Sequence, residues 1–320
     1  MPVVVYRLQP WAFVDRLVEQ MCPAGFELMP LARDASPEDR HATLAGADFL
    51  MGSWVTTAVI LNEDDFRAAR RLKLLQLMSA GYEHIDLGLA ERYGVPVAHF
   101  GDAMASTVAE HTLLLILALF RRLTLLDANV RAGAWRGADP PLHELRGKRV
   151  GIVGLGLIGA EIAKRLQAFD AEVVYYQRHR AIDERGVRYL PFDELLSTSD
   201  VVVLSVPMAP STRQLIGQPQ LALMRPEALL VNVSRGPVVD EQALVQALQA
   251  GGLRGAALDV LEQEPADKAN ALLGMENVLL TPHVAGVSAE VWPRVVAVCF
   301  DNVQRVARGE LPRNLARKLD

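Results

Sequence analysis

Short apolar runs alternate with amphipathic stretches in the first part of the chain. The apolar runs at 3–6, 47–51, 74–78 and 95–98 predict strands, and residues 12–21 predict an amphipathic helix. Strands that alternate with helices are typical of a parallel sheet, because parallel neighbours need a long crossover between them. The pattern therefore predicts that residues 1–99 form a parallel α/β domain.

The remainder of the chain repeats this alternation. Two helical segments, 106–122 and 123–134, come first, and the second continues the first after a bend. Strands are predicted at 150–153, 172–176, 200–207, 228–233, 255–260 and 278–281, and a final helix at 289–308. Continuous apolar strands are buried on both faces, so the pattern predicts a second parallel sheet.

A glycine-rich turn follows the strand at 150–153. The turn carries the spacing Gly-x-Gly-x-x-Gly, and a helix and a further strand come after it. In this setting the first glycine permits a tight turn, the second lets the backbone approach a pyrophosphate, and the third lets the helix pack closely. The helix N-terminus also offers N–H groups to the phosphates. We predict a dinucleotide site that includes Gly154, Leu155, Gly156, Leu157, Ile158 and Gly159.

The two predicted sheets imply two domains in a chain of 320 residues. Residues 100–286 are predicted to form a dinucleotide-binding Rossmann domain. Residues 1–99 are predicted to form a substrate-binding domain that the C-terminal segment 287–320 completes. The expected fold class is α/β, with two Rossmann-like or flavodoxin-like parallel-sheet domains separated by an active-site cleft.

Composition and charge narrow the range of partners. The net charge of −5 argues against nucleic acid or an anionic membrane as the main partner. The two cysteines, Cys22 and Cys299, lack metal-ligand spacing, and the N-terminus lacks a secretory signal. We therefore expect no metal and a reduced, cytoplasmic protein. The apolar run 113–120 is too short to span a bilayer, so a small molecule is the expected partner.

Charged residues follow three of the predicted strands. Arg235, Asp259 with Glu264, and His283 lie just after these strands. Transfer of a hydride to a keto acid needs a cation for the carboxylate and carbonyl, and an acid near neutrality for the proton. A carboxylate beside an imidazole favours the charged form of the ring. The alternatives are a surface ion pair for Arg235, a core position for His283, a solvated carboxylate for Glu264 and a strand-end cap for Asp259.

Several motifs occur in order along nearly the whole chain. They are Ala80-Gly-Tyr-Glu-His-Ile-Asp86, Val108-Ala-Glu-His111, the glycine turn, Asn232-Val-Ser-Arg-Gly236, the segment 259–265 and Thr281-Pro-His283. With these motifs the chain resembles the D-isomer-specific 2-hydroxyacid dehydrogenase family. The resemblance implies that Arg235 clamps the substrate carboxylate and carbonyl, that His283 exchanges the proton, and that Glu264 orients His283. The implied enzyme is an NAD(P)-dependent reductase of a small 2-keto acid, similar to glyoxylate or hydroxypyruvate, which forms the D-2-hydroxy acid.

The resemblance also implies a wider set of contacts. Further cofactor contacts are expected from Val206, Pro207, Val233, Ser234, Asp259, His283 and Gly286. Substrate contacts are expected from Trp54, Ser79, Ala80, Gly81, Arg235, His283 and Trp292. The backbone N–H groups of residues 79–81 are expected to bind the carboxylate. An ordinary core position is the alternative for both tryptophans, and His84 and His111 are interpreted as structural.

The residues after the strand at 172–176 bear on the choice of nucleotide. An acidic side chain usually stands here and accepts hydrogen bonds from the ribose, but this chain has Gln177, followed by Arg178 and Arg180. A carboxylate repels a 2′-phosphate, whereas an arginine binds one. We therefore expect NADP to be preferred, with NAD possible as a cofactor. A solvated basic turn is the alternative interpretation.

Two further expectations concern function and assembly. A different class of function stays open: a non-catalytic NAD(H)-sensing scaffold similar to the transcriptional corepressors of the superfamily. A family member that acts on a different small acid is the other alternative. The helix around 113–120 is apolar nearly all round, and in related dehydrogenases the corresponding helix lies in a dimer interface. We therefore expect a homodimer.

Overall fold

The computed structural model describes residues 1–53, 61–135, 141–180 and 186–318 of the chain. Trp54, one of the expected substrate contacts, lies outside these residues. The chain divides into two compact units. Unit 1 comprises Met1–Met104 and Ser288–Asp320, and unit 2 comprises Ala105–Val287.

Unit 1 contains a five-stranded sheet in which neighbouring strands are parallel. Its strands are β1 (Val3–Arg7), β2 (Glu27–Leu31), β3 (Phe49–Gly52), β4 (Leu74–Leu77) and β5 (Val97–Ala98), in the order β2-β1-β3-β4-β5. Its helices are α1 (Ala12–Met21), α2 (Pro37–Leu44), α3 (Glu63–Ala68), α4 (Leu87–Arg92) and, from the C-terminal segment, α11 (Val291–Ala307).

Successive residues of the unit 1 strands point to opposite faces, and both faces are covered. Val4 and Tyr6 of β1 pack with α1 and α11, whereas Val5 packs with α2 and the helices that follow it. The sequence pattern did not predict β2, which is an edge strand with Pro30 in it. Edge positions tolerate proline because one side of the strand donates no ladder hydrogen bonds. Pro30 interrupts the apolar run by which a strand is recognised in a sequence.

Polar contacts fasten the C-terminal segment to the sheet of unit 1. Asn302 in α11 is fully buried, donates a 2.8 Å hydrogen bond to Gln76 Oε1 in β4 and accepts one from the Arg313 N–H. Beyond α11, the Ala316 N–H donates to the Val97 carbonyl in β5 at 2.8 Å. The C-terminal segment therefore covers one face of the sheet and lines one edge.

Unit 2 contains a seven-stranded sheet whose paired strands are also parallel. Its strands are β6 (Arg149–Val153), β7 (Glu172–Tyr176), β8 (Arg188–Tyr189), β9 (Val201–Leu204), β10 (Leu229–Asn232), β11 (Gly255–Leu258) and β12 (Val278–Leu280). Its helices are α5 (Ala105–Phe120), α6 (Leu123–Arg131), α7 (Leu157–Gln167), α8 (Phe192–Thr198), α9 (Gln218–Leu223) and α10 (Glu241–Gln249).

The strand order is β12-β11-β10-β9-β6-β7-β8. From β6 the chain first adds strands on one side, β7 and β8, and then crosses to the other side at β9, so the order of strands reverses between β6 and β9. In open parallel sheets, ligands bind outside the carboxyl ends of the strands at such a reversal. The prediction of two parallel-sheet α/β domains is confirmed, and each of the six strands predicted for the second sheet is present. The short edge strand β8 was not predicted.

The two predicted helical segments at the start of unit 2 are α5 and α6. Arg122 separates them with φ +47°, which produces the predicted bend. Leu113, Leu115 and Ile116 of α5 are buried within the unit, whereas Leu114 is 54% exposed. In the described ranges, no helix combines the length and the apolar character needed to cross a membrane.

Candidate active site

The glycine turn joins β6 to α7 as the sequence predicts. Gly154 adopts φ +100°, and a Cβ there would lie 2.7 Å from the Ser205 carbonyl oxygen. A Cβ on Gly159 would overlap the carbonyl of Gly154. Ser205, just after β9, also donates from Oγ to the Gly154 carbonyl at 2.8 Å. Glycine is therefore required at both positions for α7 and the β9 loop to pack against the turn.

Gly156 differs from the other two glycines of the motif. Apart from its chain neighbours and the backbone of its own helix, no protein atom of the described residues lies within 4 Å of the position that its Cβ would take. Gly156 is the N-cap residue of α7, and no side chain caps the helix. The first N–H groups of a helix have no acceptor within it, and the space beside Gly156 leaves the N-terminus of α7, which begins at Leu157, open to a ligand. This arrangement fits the pyrophosphate of a dinucleotide, which binds by backbone N–H groups and the helix dipole.

Gln177 follows β7 and faces the glycine turn. Its Oε1 accepts a 3.1 Å hydrogen bond from the Leu155 N–H. Because that N–H requires an acceptor, the oxygen must be the atom that faces the turn, and Nε2 points the other way. Gln177 therefore presents N–H donors where most members of this fold present an acceptor.

The two arginines after Gln177 have different surroundings. Arg178 is exposed, and its Nη1 lies 3.4 Å from Ser211 Oγ in the loop after β9. Arg180 is also exposed, and its guanidinium lies 5.5 Å from the centre of the Tyr189 ring in β8. Arg178 is therefore the arginine that lies on the β9 side of Gln177, towards the reversal of strand order.

The loop after β10 carries Arg235 and is built on a buried amide. Asn232, 1% exposed, accepts at Oδ1 from the N–H and the hydroxyl of Ser234 at 3.0 and 2.8 Å, and donates from Nδ2 to the Arg235 carbonyl at 2.9 Å. Arg235 is half-buried and donates from Nη1 to the Ser234 carbonyl at 2.7 Å. A Cβ on Gly236 would overlap the Leu261 carbonyl, so this loop packs directly against the loop after β11.

Glu264 and His283 form a hydrogen-bonded pair. His283 Nδ1 lies 2.7 Å from Glu264 Oε2, and Glu264 Oε1 accepts from the Leu261 N–H at 3.1 Å. Desolvation acts to raise the pKa of the Glu264 carboxyl. The hydrogen bonds from His283 and Leu261 and the charges on His283 and Arg235 outweigh it, so the pKa of Glu264 lies below its ordinary value. An ionised Glu264 accepts a hydrogen bond from the Nδ1–H of His283, so the other ring nitrogen, Nε2, can exchange a proton with a substrate.

Asp259, 2% exposed, anchors the loop that carries His283. Its Oδ1 accepts from Thr281 Oγ1 at 2.7 Å and from the Val284 N–H at 2.9 Å, and its Oδ2 accepts from the Ala285 N–H at 2.9 Å. Its carbonyl accepts from the His283 N–H at 2.8 Å. His283 has φ +53°, a left-handed conformation that costs a non-glycine residue about 1–3 kcal/mol. The bonds to Asp259 hold this conformation.

Sequence reasoning missed several of the residues that shape these loops. Asn232 is the first residue of the motif Asn232–Gly236, but the sequence alone assigned no role to it. Glu241, at the start of α10, accepts from the Glu262 N–H at 2.9 Å and from Asn270 Nδ2 at 2.6 Å, and so ties down the loop that leads to Glu264. Acidic or amide side chains directly after a buried strand or beginning a helix are the signal that would have pointed to both.

Two of the expected substrate contacts shape a turn after β4 in unit 1. Ser79 is buried, and its hydroxyl donates to the Gly81 carbonyl at 2.8 Å. Among the hydrogen bonds of the described residues, none is donated by the backbone N–H groups of Ala80 or Gly81. Backbone N–H groups in such a turn can bind a carboxylate.

Trp292, the remaining expected pocket residue, lies in the first turn of α11. It is 3% exposed and packs in the core of unit 1, with its ring centre 5.4 Å from that of Trp11. Its Nε1 is buried without a hydrogen-bond partner among the described residues. The ring therefore occupies a core position, and within the part of the chain that the structure describes its indole N–H is an unsatisfied donor.

Comparison with known proteins identifies the class. Residues 113–285 match the model for the D-isomer specific 2-hydroxyacid dehydrogenase, NAD binding domain. A glyoxylate reductase from Korarchaeum cryptofilum is 38% identical over an alignment that covers 81% of this chain and 80% of the relative. A glyoxylate reductase from Aeropyrum pernix is 37% identical over 97% of this chain and 96% of its own length.

A solved structure gives the same result. It is the NADPH-dependent glyoxylate/hydroxypyruvate reductase of Sinorhizobium meliloti in complex with NADP and malonate, with a TM-score of 0.84 and 29% identity over 98% of this chain and 96% of that chain. The chain belongs to the D-isomer specific 2-hydroxyacid dehydrogenase family. It is an NAD(P)-dependent oxidoreductase, which confirms the resemblance noted in the sequence.

Proposed function

We propose that the protein reduces glyoxylate and hydroxypyruvate to the corresponding 2-hydroxy acids, with NADPH as the preferred reductant and the D isomer as the product where the acid is chiral. The observation that carries the proposal is the His283–Glu264 pair, with its 2.7 Å hydrogen bond, beside the charge of Arg235. We assign unit 2 to the nucleotide, and unit 1, completed by its C-terminal segment, to the substrate.

The chemistry follows from the positions of these groups. Arg235 donates to the carboxylate and the carbonyl oxygen of the keto acid, which orients the acid and stabilises the charge that develops on the oxygen. The nicotinamide, when bound, supplies a hydride to the carbonyl carbon. His283 gives the proton on Nε2 to the carbonyl oxygen, while Glu264 accepts from Nδ1 and favours the charged ring. In the oxidation direction, His283 accepts the proton from the hydroxyl.

The glycine turn and α7 would hold the pyrophosphate. The preference for NADPH rests on Gln177, whose Nε2 points away from the turn, and on Arg178 next to it. These groups offer donors and a positive charge to a 2′-phosphate, and neither repels it. The relatives with glyoxylate reductase activity in their names and the relative solved with NADP support both the substrate class and the cofactor.

The test measures how fast the purified protein oxidises NADPH and NADH in the presence of each of a panel of 2-keto acids, with the loss of reduced nucleotide monitored by absorbance. We expect kcat/KM to be highest for glyoxylate and hydroxypyruvate and to fall for larger 2-keto acids. A protein that binds NADPH but reduces no member of the panel would be a nucleotide-sensing scaffold, and the proposal would be wrong.

We also propose that the protein is a homodimer that works in the reducing cytoplasm. Four large apolar side chains on α5, on α6 and just beyond α6 are between 49% and 82% exposed: Leu114, Leu123, Val130 and Trp135. An apolar surface of this kind is typical of an interface. Both cysteines are free thiols, which suits a reduced compartment. Sedimentation should give twice the chain mass of 35.1 kDa, and a monomer at micromolar concentration would contradict the assembly.

A further inference from the structure

His111 in α5 is close to the loop of His283. Its Nε2 lies 3.1 Å from Thr281 Oγ1 and 3.7 Å from Asp259 Oδ1, and its side chain is only 16% exposed. Thr281 comes directly after β12 and two residues before His283. Helix α5 thus contacts Thr281, the first residue of the loop that carries His283.

The direction of the hydrogen bonds in this group can be derived. Thr281 has one hydroxyl proton, and Asp259 also receives the N–H groups of Val284 and Ala285, so Asp259 accepts from Thr281. The Thr281 oxygen must then accept from His111, because its own proton is already donated. His111 Nε2 therefore carries a proton, whichever form the ring takes. The result is an ordered chain from His111 to Thr281 to Asp259.

We propose that His111 is a positioning residue that acts through Thr281 and Asp259 on the loop of His283. Asp259 holds the N–H groups of Val284 and Ala285 by its side chain and that of His283 by its carbonyl. These bonds maintain φ +53° at His283, and this dihedral directs the imidazole towards Glu264. Removal of the His111 donor releases Thr281 to rotate, and Asp259 then loses one of the three donors that fix its carboxylate.

This inference rests on the proposed function, and the test is built on substitutions that separate the donor from the ring. In His111→Leu, we expect kcat for keto-acid reduction to fall roughly ten- to a hundredfold, the loss that a small misplacement produces. The KM for the nucleotide should stay within about twofold, since the effect lies in orientation and not in uniform binding. His111→Gln keeps an N–H donor near the position of Nε2 and should recover most of the loss.

The coupling to Thr281 provides a second readout. Thr281→Val removes the hydroxyl. The kcat of the double variant with His111→Leu should be no lower than that of the less active single variant, because both substitutions interrupt the same chain of hydrogen bonds. Thr112→Val is the matched control: Thr112 is the next residue of α5, is fully buried, and bonds to the Val108 carbonyl within the helix. It should keep the kcat of the unaltered enzyme.

Amide hydrogen exchange gives a readout that does not depend on turnover. Exchange at Val284 and Ala285 should accelerate in His111→Leu and in Thr281→Val but not in Thr112→Val or His111→Gln. The inference is overturned if His111→Leu keeps its kcat and its slow exchange, if His111→Gln is as impaired as His111→Leu, or if the two losses are additive. If the unaltered enzyme reduces no keto acid, the proposed function fails, and the exchange rates alone decide on the role of His111.

Discussion

The two ends of the nucleotide site in unit 2 are built differently. At the ends of β10, β11 and β12, the functional side chains are fixed by short hydrogen bonds, such as those of Asn232 to the Arg235 loop and of Glu264 to His283. At the end of β7, Arg178 is exposed and its bond to Ser211 is long, at 3.4 Å. In the proposed function, the catalytic groups are thus held by the fold, whereas the choice of nucleotide rests on surface side chains.

This difference has a physical origin. Groups that exchange a proton or stabilise a developing charge must be pre-organised, since their contribution depends on angle and distance. A guanidinium that binds a phosphate at the surface tolerates movement, because its interaction is mainly one of charge. We therefore expect substitutions at the catalytic end to have large effects on turnover, and those at the adenosine end to have smaller effects confined to one nucleotide.

The largest effect is expected for His283→Ala. Loss of the proton donor should reduce kcat for keto-acid reduction roughly a hundred- to ten-thousandfold, the usual range for general acid–base catalysis. Binding of the nucleotide, measured by titration of protein fluorescence, should change little. His143→Ala is a matched control in the same unit, where His143 lies against the Phe120 ring. A His283→Ala enzyme with nearly unaltered kcat would remove His283 from the reaction.

Arg235→Lys should have the next largest effect. A lysine keeps the charge but lacks the planar pair of donors that a carboxylate and a carbonyl require. We expect kcat/KM to fall about a hundredfold or more, the loss seen when one preorganised donor to a developing oxyanion is removed. Arg225→Lys, at an exposed ion pair with Asp200, should be neutral. Equal activity of the two variants would place Arg235 outside the substrate site.

Substitution of Arg178 examines the adenosine end. A charge-assisted bond to the 2′-phosphate contributes about 1.5–3 kcal/mol, which corresponds to roughly ten- to a hundredfold in kcat/KM for NADPH. Arg178→Ala should lose this preference and leave NADH unaffected, and Gln177→Asp should weaken NADPH further by repulsion. The effect should decrease as ionic strength rises, since Arg178 is exposed.

Arg188→Ala is the control for this pair of substitutions. Arg188 is another exposed arginine near β7 and pairs with Glu172 at 2.9 Å. It should not discriminate between the two nucleotides. An unaltered enzyme that prefers NADH, or an Arg178→Ala variant that loses both nucleotides equally, would show that the basic segment after Gln177 is a solvated turn.

The smallest effect is expected for Glu264→Gln, in the pH profile and not in the maximal rate. In the proposed reaction His283 gives a proton to the keto acid, so activity falls as rising pH removes that proton. Glu264 accepts a hydrogen bond from His283 Nδ1 at 2.7 Å, which favours the protonated ring, and its neutralisation should shift this fall to lower pH.

The acid side of the same profile follows from Glu264 itself. Because its pKa lies below the ordinary value, the carboxylate stays ionised through the pH range in which a free glutamate takes up its proton, and the pair with His283 is lost only under more acidic conditions. Glu262→Gln, in the same loop, should leave the profile unchanged. A profile that is identical in Glu264→Gln and in the unaltered enzyme would show that the two groups are not coupled.

The family, the two parallel sheets and the glycine turn were predictable because each depends on local patterns of apolar residues and glycines. The edge strands β2 and β8 were not, since Pro30 interrupts one and the other has only two residues. The strand ends that carry Arg235, Glu264 and His283 were identified by motif. The role of Asp259 as the anchor of the loop, and the contact of His111 with Thr281 across 170 positions of sequence, depend on tertiary packing that no local pattern contains.

The contact of Asn302 with Gln76 spans 226 positions of sequence, and it has a consequence for biosynthesis. During translation, Ala105–Val287 emerges as one continuous segment that contains all the strands and helices of unit 2. The first hundred or so residues leave the ribosome earlier, but only α1 covers part of one face of their sheet until α11 follows. We therefore expect nascent unit 1 to keep part of an apolar sheet face exposed until α11 is made, and to complete its folding after unit 2 although its strands are synthesised first.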